Sequence, residues 1–469
     1  MPYKLNTKTI IASILIIGTI LRFYNIGFED LWYDEIISFW VGNPNHSFLD
    51  SFRIHNYIER SPYTYHFFLK FFFEIFGYNL EVGRCISAFF GSLCILTIPY
   101  IARILKYEKA YLFSLFLISF NIFLISFSQE MRVYSMLLFF ISLSYIFFFQ
   151  IIINNSKYLY FIIFSLIAIF LHPFALLIYF SFIFYLFLRY LKFKEINLNL
   201  NLSLIFIGFI SVLFYYFSFI YFLEPSNYDH FWIPQIEIKF FTNFFFSQFF
   251  GSRLLGIIFL FFLIFLVIRN LKSFAKLDNL SILLISIIIS YFLPIMFNYI
   301  FEPVLVSRYL IFVLIPIILL IAILSYKFED KKISLTIVSF LCIITILNMF
   351  TEQTFKQFYN PRAIYKPEYS KALIFIEKSN HKKYSLKIVD MKSMIETTNS
   401  INNYIDYIGS KNNLKITYIS LKEIDNSAVW VICPMYITKD CSLPKIISNY
   451  QIINEKYFNS LNLKLIKKT

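Results

Sequence analysis

The chain has 469 residues, 59% of them hydrophobic and 15% charged, with a formal charge of +14. Soluble domains carry about 25% charged residues, whereas here apolar residues gather in runs that reach or approach the roughly 20 needed to cross a bilayer. That excludes a soluble globular protein and argues against a nucleic-acid binder. The basic residues lie mainly in short loops and a polar C-terminal tail, where anionic lipid headgroups or phosphates are the fitting partners.

In chain order, the apolar runs predict spans at about 9–26, 85–103, 110–127, 133–153, 158–171, 173–189, 201–222, 254–270, 280–300, 307–325 and 333–350. The first follows a basic start and has no small-residue cleavage site after it, so it reads as an uncleaved span. The run from Tyr158 to Leu191 is too long for one crossing. His172-Pro173 divides it, because proline disfavours helix in the residue before it. Lys4, Lys8, Arg103, Lys106, Lys109, Lys157, Arg189, Lys192, Lys194, Arg269, Lys272, Lys276, Lys327, Lys331 and Lys332 then share one side. With that side cytoplasmic, the positive-inside rule holds at every turn. Eleven spans leave the N-terminus inside and the tail outside.

Three segments fall outside the membrane in this reading. The first, about 27–84, contains SPYTYHFFLKFFFEIFGY (Ser61–Tyr78), whose apolar residues with Lys70 and Glu74 interspersed predict a helix lying at the interface. The second is the loop LEPSNYDHFWIPQ, Leu223–Gln235. The third is the tail from about Thr351, where LKIVD, LKITYIS and AVWVICP read as short strands among helices. The expected architecture is a polytopic α-helical membrane domain over 1–350 and a small extracytoplasmic α/β domain over 351–469. Of the five cysteines, Cys85, Cys94 and Cys342 read as packing residues, and Cys433 and Cys441 could pair in an extracytoplasmic tail.

Ionisable residues at membrane depth are costly and usually functional, and this topology gathers them on one face. Asp34 and Glu35 follow span one; Gln129, Glu130 and Arg132 form the turn between spans three and four. His172 sits between spans five and six, while Arg84 and Arg308 open spans two and ten on the same outer side. Glu29 and Asp30 read as a helix end at the headgroup layer. Singly, each residue has a bland reading as a snorkelling anchor, a turn residue or a surface ion pair. Together they suit a reaction with an anionic leaving group. Arginines hold phosphate oxygens in forked hydrogen bonds, and a carboxylate takes a proton from an attacking hydroxyl. No Walker-type loop is present, so an energised donor would arrive through the membrane.

At these residues the chain resembles the GT-C glycosyltransferases, in particular bacterial relatives of protein O-mannosyltransferases and of the lipid A aminoarabinose transferase. The resemblance runs through LWYDE (Leu31–Glu35), SPYTYHFFLKFFFEIFGYNLEVGRCISAFFGSL (Ser61–Leu93), SQEMRVYSM (Ser128–Met136), LHPFALL (Leu171–Leu177) and SRYLIFVLIP (Ser307–Pro316). It covers roughly the first 325 residues in family order. It implies inverting transfer of a sugar from a polyprenyl-phosphate donor to a hydroxyl of a glycolipid, surface polysaccharide or protein at the outer face of the cell membrane. By the resemblance Asp34 is the catalytic base with Glu35 supporting it, and Arg308 binds the donor phosphate. Glu130, Arg132, His172 and Arg84 complete the binding set. Ser61-Pro62 stands where the family usually has two prolines, and Pro173 where it has an aromatic. The superfamily contains metal-dependent and metal-independent enzymes, so a divalent metal stays open. The alternative is a non-enzymatic transporter or flippase, which would place its charges nearer the midplane.

Overall fold

The computed structural model describes residues 7–59, 61–221, 233–351, 366–386, 395–421, 424, 427–435, 437 and 450–468. The membrane domain begins with α1 (Thr7–Phe23), followed by three helices before the next long one: α2 (Tyr33–Val41), α3 (Phe48–Ile58) and α4 (Thr64–Phe76). Then come α5 (Leu80–Ile104), α6 (Glu108–Ser119), α7 (Ile122–Ser128), α8 (Tyr134–Asn154), α9 (Tyr158–Leu171), α10 (Ala175–Phe193) and α11 (Leu198–Tyr221). Two single-turn helices, α12 (Ile238–Phe241) and α13 (Phe246–Phe249), precede α14 (Arg253–Arg269), α15 (Leu271–Ala275) and α16 (Ser281–Ile300). A 3₁₀ helix (Ser307–Val313) leads into α17 (Leu314–Ser325), and α18 (Lys331–Thr351) closes the domain. Helices occupy every position where a span was expected. Among the described residues, seven are long and apolar enough to cross a membrane, or eight if the bent pair α6–α7 counts as one. Most of the 223–235 loop lies outside the described residues.

Two breaks show how local chemistry shapes this bundle. His172 ends α9 in extended backbone (φ −159, ψ 133), the geometry that the following Pro173 favours. The expected single span over 110–127 is instead two helices bent by 57°. Asn121 caps α7 by accepting a hydrogen bond from the Leu124 N–H, while its side-chain amide donates to the Phe249 carbonyl. The last carbonyls of α6, left open by the bend, accept from buried Arg22: Nη2 reaches Ile118 at 3.0 Å and Nη1 reaches Ser119 at 3.2 Å. Glycine lets these helices approach closely. A Cβ on Gly91 would stand 2.1 Å from Ser128 Oγ, and one on Gly18 would stand 2.9 Å from Ser119 Cβ.

Between α1 and α5, α4 buries Tyr65, His66, Leu69, Lys70 and Phe73 along one stripe and exposes Phe67, Phe71, Ile75 and Phe76 on the other. The exposed apolar face fits the expected interfacial helix. Lys70 is buried and donates to the carbonyls of Asn43, Pro44 and His46. It ties α4 to the loop after α2.

The C-terminal unit holds a five-stranded sheet of order β2-β1-β3-β5-β4. The strands are β1 (Lys383–Leu386), β2 (Thr417–Tyr418), β3 (Val429–Pro434), β4 (Tyr450–Phe458) and β5 (Leu461–Lys468). Pairings β1–β2 and β1–β3 are parallel, and the β3–β5 and β4–β5 pairings are antiparallel. Helices α19 (Tyr369–Lys378) and α20 (Ile395–Lys411) contribute Leu373, Ile376, Ile401 and Tyr404 to the core. The AVWVICP strand is present as β3, and LKITYIS as the two residues of β2. LKIVD lies outside the described residues except for Leu386, the end of β1. Cys85, Cys94 and Cys342 are free, and Cys433 is disulfide-bonded. Cys441 lies outside the described residues.

This unit docks on the start of the membrane domain, and Asp30 is the anchor. Its carboxylate accepts from the Ser370 N–H at 2.7 Å, the Ser370 hydroxyl at 2.6 Å and the Tyr404 hydroxyl at 3.0 Å. The reading of Asp30 as a helix end at the headgroup layer is therefore corrected. Trp40 adds a bond to Glu396, and Tyr78 one to Asn403.

Candidate active site

The short helix α2 starts after the extended Trp32 and carries Asp34 and Glu35 in its first turn, where carboxylates oppose the positive end of the helix dipole. Adjacent helical residues point about 100° apart, and the two acids go to different places. Glu35 is fully buried and takes a forked bond from Arg84, with Nε at 2.8 Å from one oxygen and Nη2 at 3.0 Å from the other. It also accepts from Lys366 Nζ at 2.7 Å and from the Met131 N–H at 2.9 Å. Burial alone would raise its pKa, but Arg84 and Lys366 outweigh burial and hold the carboxyl down to about 2. Arg84 donates further to the carbonyls of Ile26, Glu29 and Asp30, fixing the link between α1 and α2. Neither Glu35 nor Arg84 lines the adjacent cavity.

Asp34 does line it. The cavity has a volume of about 360 Å³, and Glu59, His66, Arg132, His172 and Arg308 share its wall. Arg308 Nη2 lies 3.2 Å from Asp34 Oδ2. Arg132 Nη1 donates to the Asp34 carbonyl at 3.0 Å, to Ser38 Oγ at 2.9 Å and to Glu59 Oε1 at 2.6 Å. Burial raises the Asp34 pKa above the usual carboxylate value, with Arg132 and Arg308 pulling the other way. His172 accepts from the Phe174 N–H through Nδ1, and burial followed by the charge of Arg132 lowers its pKa to about 3. It is a neutral ring in the wall, 5.0 Å between centroids from Tyr309. Glu130 does not line the cavity; Lys366 Nζ lies 3.9 Å from its Oε1, and its Oε2 is buried without a hydrogen-bond partner among the described residues. Burial raises its pKa to about 7, against the pull of Lys366.

Four of the residues singled out from sequence thus meet in one wall: Asp34, Arg132, His172 and Arg308. Glu35 and Arg84 form a buried pair beside it. Sequence reasoning passed over Glu59, which receives Arg132 and also accepts from the Ser61 hydroxyl at 2.9 Å. Burial would raise its pKa, yet Arg132 outweighs that and keeps it well below the usual range. The available signal was an acid two residues before the Ser-Pro pair, four residues after His55. Lys366 was missed because it arrives from the C-terminal unit. Among the described residues, His55, Glu59 and His66 form a cluster able to hold a metal ion.

The arrangement offers a desolvated carboxylate beside two guanidiniums, in a cavity walled partly by aromatic rings. That suits proton abstraction next to a bound oxyanion.

Residues 60–216 match the model of a family described as dolichyl-phosphate-mannose-protein mannosyltransferase. No curated protein matches the chain in sequence. The fold is similar to that of ArnT from Cupriavidus metallidurans, solved bound to undecaprenyl phosphate, with a TM-score of 0.60 and 10% identity over 98% of each chain. The apo form of the same protein aligns at a TM-score of 0.59 and 10% identity over 97% of each chain.

Proposed function

We propose that this chain, whose family match and fold support a membrane glycosyltransferase of the GT-C superfamily, moves a sugar from a polyprenyl-phosphate donor to an acceptor hydroxyl at the outer face of the membrane. The observation that carries this reading is Asp34 in the cavity wall, paired with Arg308 at 3.2 Å and flanked by Arg132. Arg308 and Arg132 hold the donor phosphate. Asp34 takes the proton of the acceptor hydroxyl as its oxygen attacks the anomeric carbon from the face opposite the phosphate. The carbon–oxygen bond to phosphate breaks, inverting the centre, and polyprenyl phosphate leaves with its charge held by the guanidiniums. The raised pKa of Asp34 makes it a stronger base once ionised.

In this reading Glu35 and Arg84 hold α2 so that Asp34 faces the cavity, and Glu130 acts through Lys366. Neutral His172 packs the wall beside Tyr309. The bundle crosses the membrane eleven times with the N-terminus cytoplasmic, which places the cavity and C-terminal unit outside. The bound lipid in the ArnT structure supports a lipid-phosphate donor. The acceptor class is a glycolipid, a surface polysaccharide or a protein. The experiment is mass spectrometry of surface glycolipids, polysaccharides and glycoproteins from cells with and without the protein. Loss of a single sugar from one of these classes, restored by wild type and not by Asp34→Asn, is the expected result. Unchanged glycans in all three classes contradict the reading.

A further inference from the structure

On the basic side of the bundle, the ends of α1, α6 and α18 enclose a second cavity, of about 500 Å³, that glycosyl transfer does not use. Its wall has two kinds of surface. Arg103, Lys109 and Lys331 bring three positive charges, against the one negative charge of Glu108. Ile11 of α1, Leu112 of α6 and Leu335 of α18 supply an apolar lining. Packing explains the space. Both α1 and α18 lie against α6. Toward their far ends the three helices meet, where Met349 shares a buried cluster with Phe120 and Leu21 packs against it. At the basic end α1 and α18 part, and the cavity lies between them. Leu335 is 59% exposed, so the apolar wall reaches the outer surface of the bundle, where lipid chains would lie.

The cations are available to a ligand. Lys109 and Lys331 are exposed and form no ion pair among the described residues. The Arg103 guanidinium stands 4.2 Å over the Tyr111 ring, which holds it in place at the cavity. Its Nε donates to Glu108 Oε2 at 3.3 Å, and both Nη groups stay without a partner among the described residues. That ion pair is exposed and offsets little of the charge. Lysines and arginines at the ends of membrane helices are commonly plain headgroup anchors. Here three of them converge on one cavity, next to an apolar wall.

We propose that this cavity binds one anionic phospholipid, its phosphate held by Arg103, Lys109 and Lys331 and an acyl chain laid against Ile11, Leu112 and Leu335. Forked hydrogen bonds from a guanidinium and point charges from two lysines suit a phosphodiester. A free phosphate would satisfy the cations and leave the apolar wall uncovered, whereas a lipid covers both. Bound there, the lipid bridges the basic ends of α1 and α18 and stabilises the folded chain by mass action. The cytoplasmic leaflet as its source rests on the topology drawn from the loop charges; the binding itself does not.

The test is native mass spectrometry and thermal unfolding of the full-length protein in neutral detergent, titrated with phosphatidylglycerol or phosphatidylcholine. Wild type should retain a single phosphatidylglycerol per chain in preference to phosphatidylcholine, and should melt at a higher temperature with it. Each cation beside an anionic headgroup is worth about fivefold in affinity, so Lys109→Gln/Lys331→Gln should bind phosphatidylglycerol about 25-fold more weakly. Both side chains are exposed, so the fold tolerates the change. Lys157→Gln/Lys192→Gln removes the same charge at exposed positions away from the cavity and should bind as wild type does. Glycerol 3-phosphate should not displace the lipid. Wild type without a preference for phosphatidylglycerol overturns the proposal. So do equal losses in the two double variants, which would mean diffuse attraction to charge, and displacement by glycerol 3-phosphate, which would mean a site for soluble anions.

Discussion

Asp34 and Glu35 are neighbours in one helical turn, yet one faces a cavity and the other a buried arginine. Glu35→Gln leaves Arg84 and Lys366 without their shared anion, and breaking such a buried pair costs roughly 3–5 kcal/mol. Thermal unfolding in detergent should drop accordingly, and adding Arg84→Met should recover part of the loss. Glu130 provides a pH signature. Its pKa of about 7 exceeds the roughly 4.3 of an unfolded glutamate. The stability contributed by its bound proton is full below about pH 4.3 and is lost as pH rises through about 7. Melting temperatures of wild type should therefore fall relative to Glu130→Gln across that window and run parallel above it; parallel curves throughout would contradict the assignment. The sequence made Asp34, Arg132, His172 and Arg308 legible as a polar layer because each interrupts an apolar run. Glu59 sits in a stretch already polar, FRIHNYIER, where one more acid gives no contrast.

At the scale of elements, every expected span has its helix because apolarity summed over some 18 residues is a window property that tertiary packing does not overturn. The division at His172-Pro173 was equally legible, as proline acts on its own neighbour. The bend between α6 and α7 was not, since it depends on Asn121 capping one helix and Arg22, 97 residues from Ser119, closing the other. Close packing around that bend is testable. Gly91→Ala places a methyl 2.1 Å from Ser128 Oγ, and overpacking of this kind costs about 1–3 kcal/mol. A lowered melting temperature in Gly91→Ala, partly restored by Ser128→Gly, is expected; no change would show that the helices can part without cost.

At the scale of the molecule, the C-terminal unit completes the environment of α2. Asp30 receives Ser370 and Tyr404, and Lys366 reaches Glu35. Such contacts, spanning more than 300 residues, leave no local pattern, so Asp30 looked like an ordinary helix end. The hairpin β4–β5 was missed for a related reason: β4 is almost wholly exposed, and its aliphatic residues Ile452 and Ile453 are adjacent, so no apolar alternation marks it. The proposed topology rests on the charge asymmetry of the loops. A single cysteine placed at Lys467 should react with a membrane-impermeant thiol reagent in intact spheroplasts, and one at Lys331 only after permeabilisation. The reverse pattern would put the cavity on the cytoplasmic side and remove the basis for an outer-face reaction. The most direct measurement is sugar transfer by protein reconstituted in liposomes, using a radiolabelled polyprenyl-phosphate sugar and an acceptor fraction from the same cells. Wild type should transfer label, and Asp34→Asn should bind the donor but transfer it about 10²–10⁴-fold more slowly. Full activity in Asp34→Asn would contradict the account.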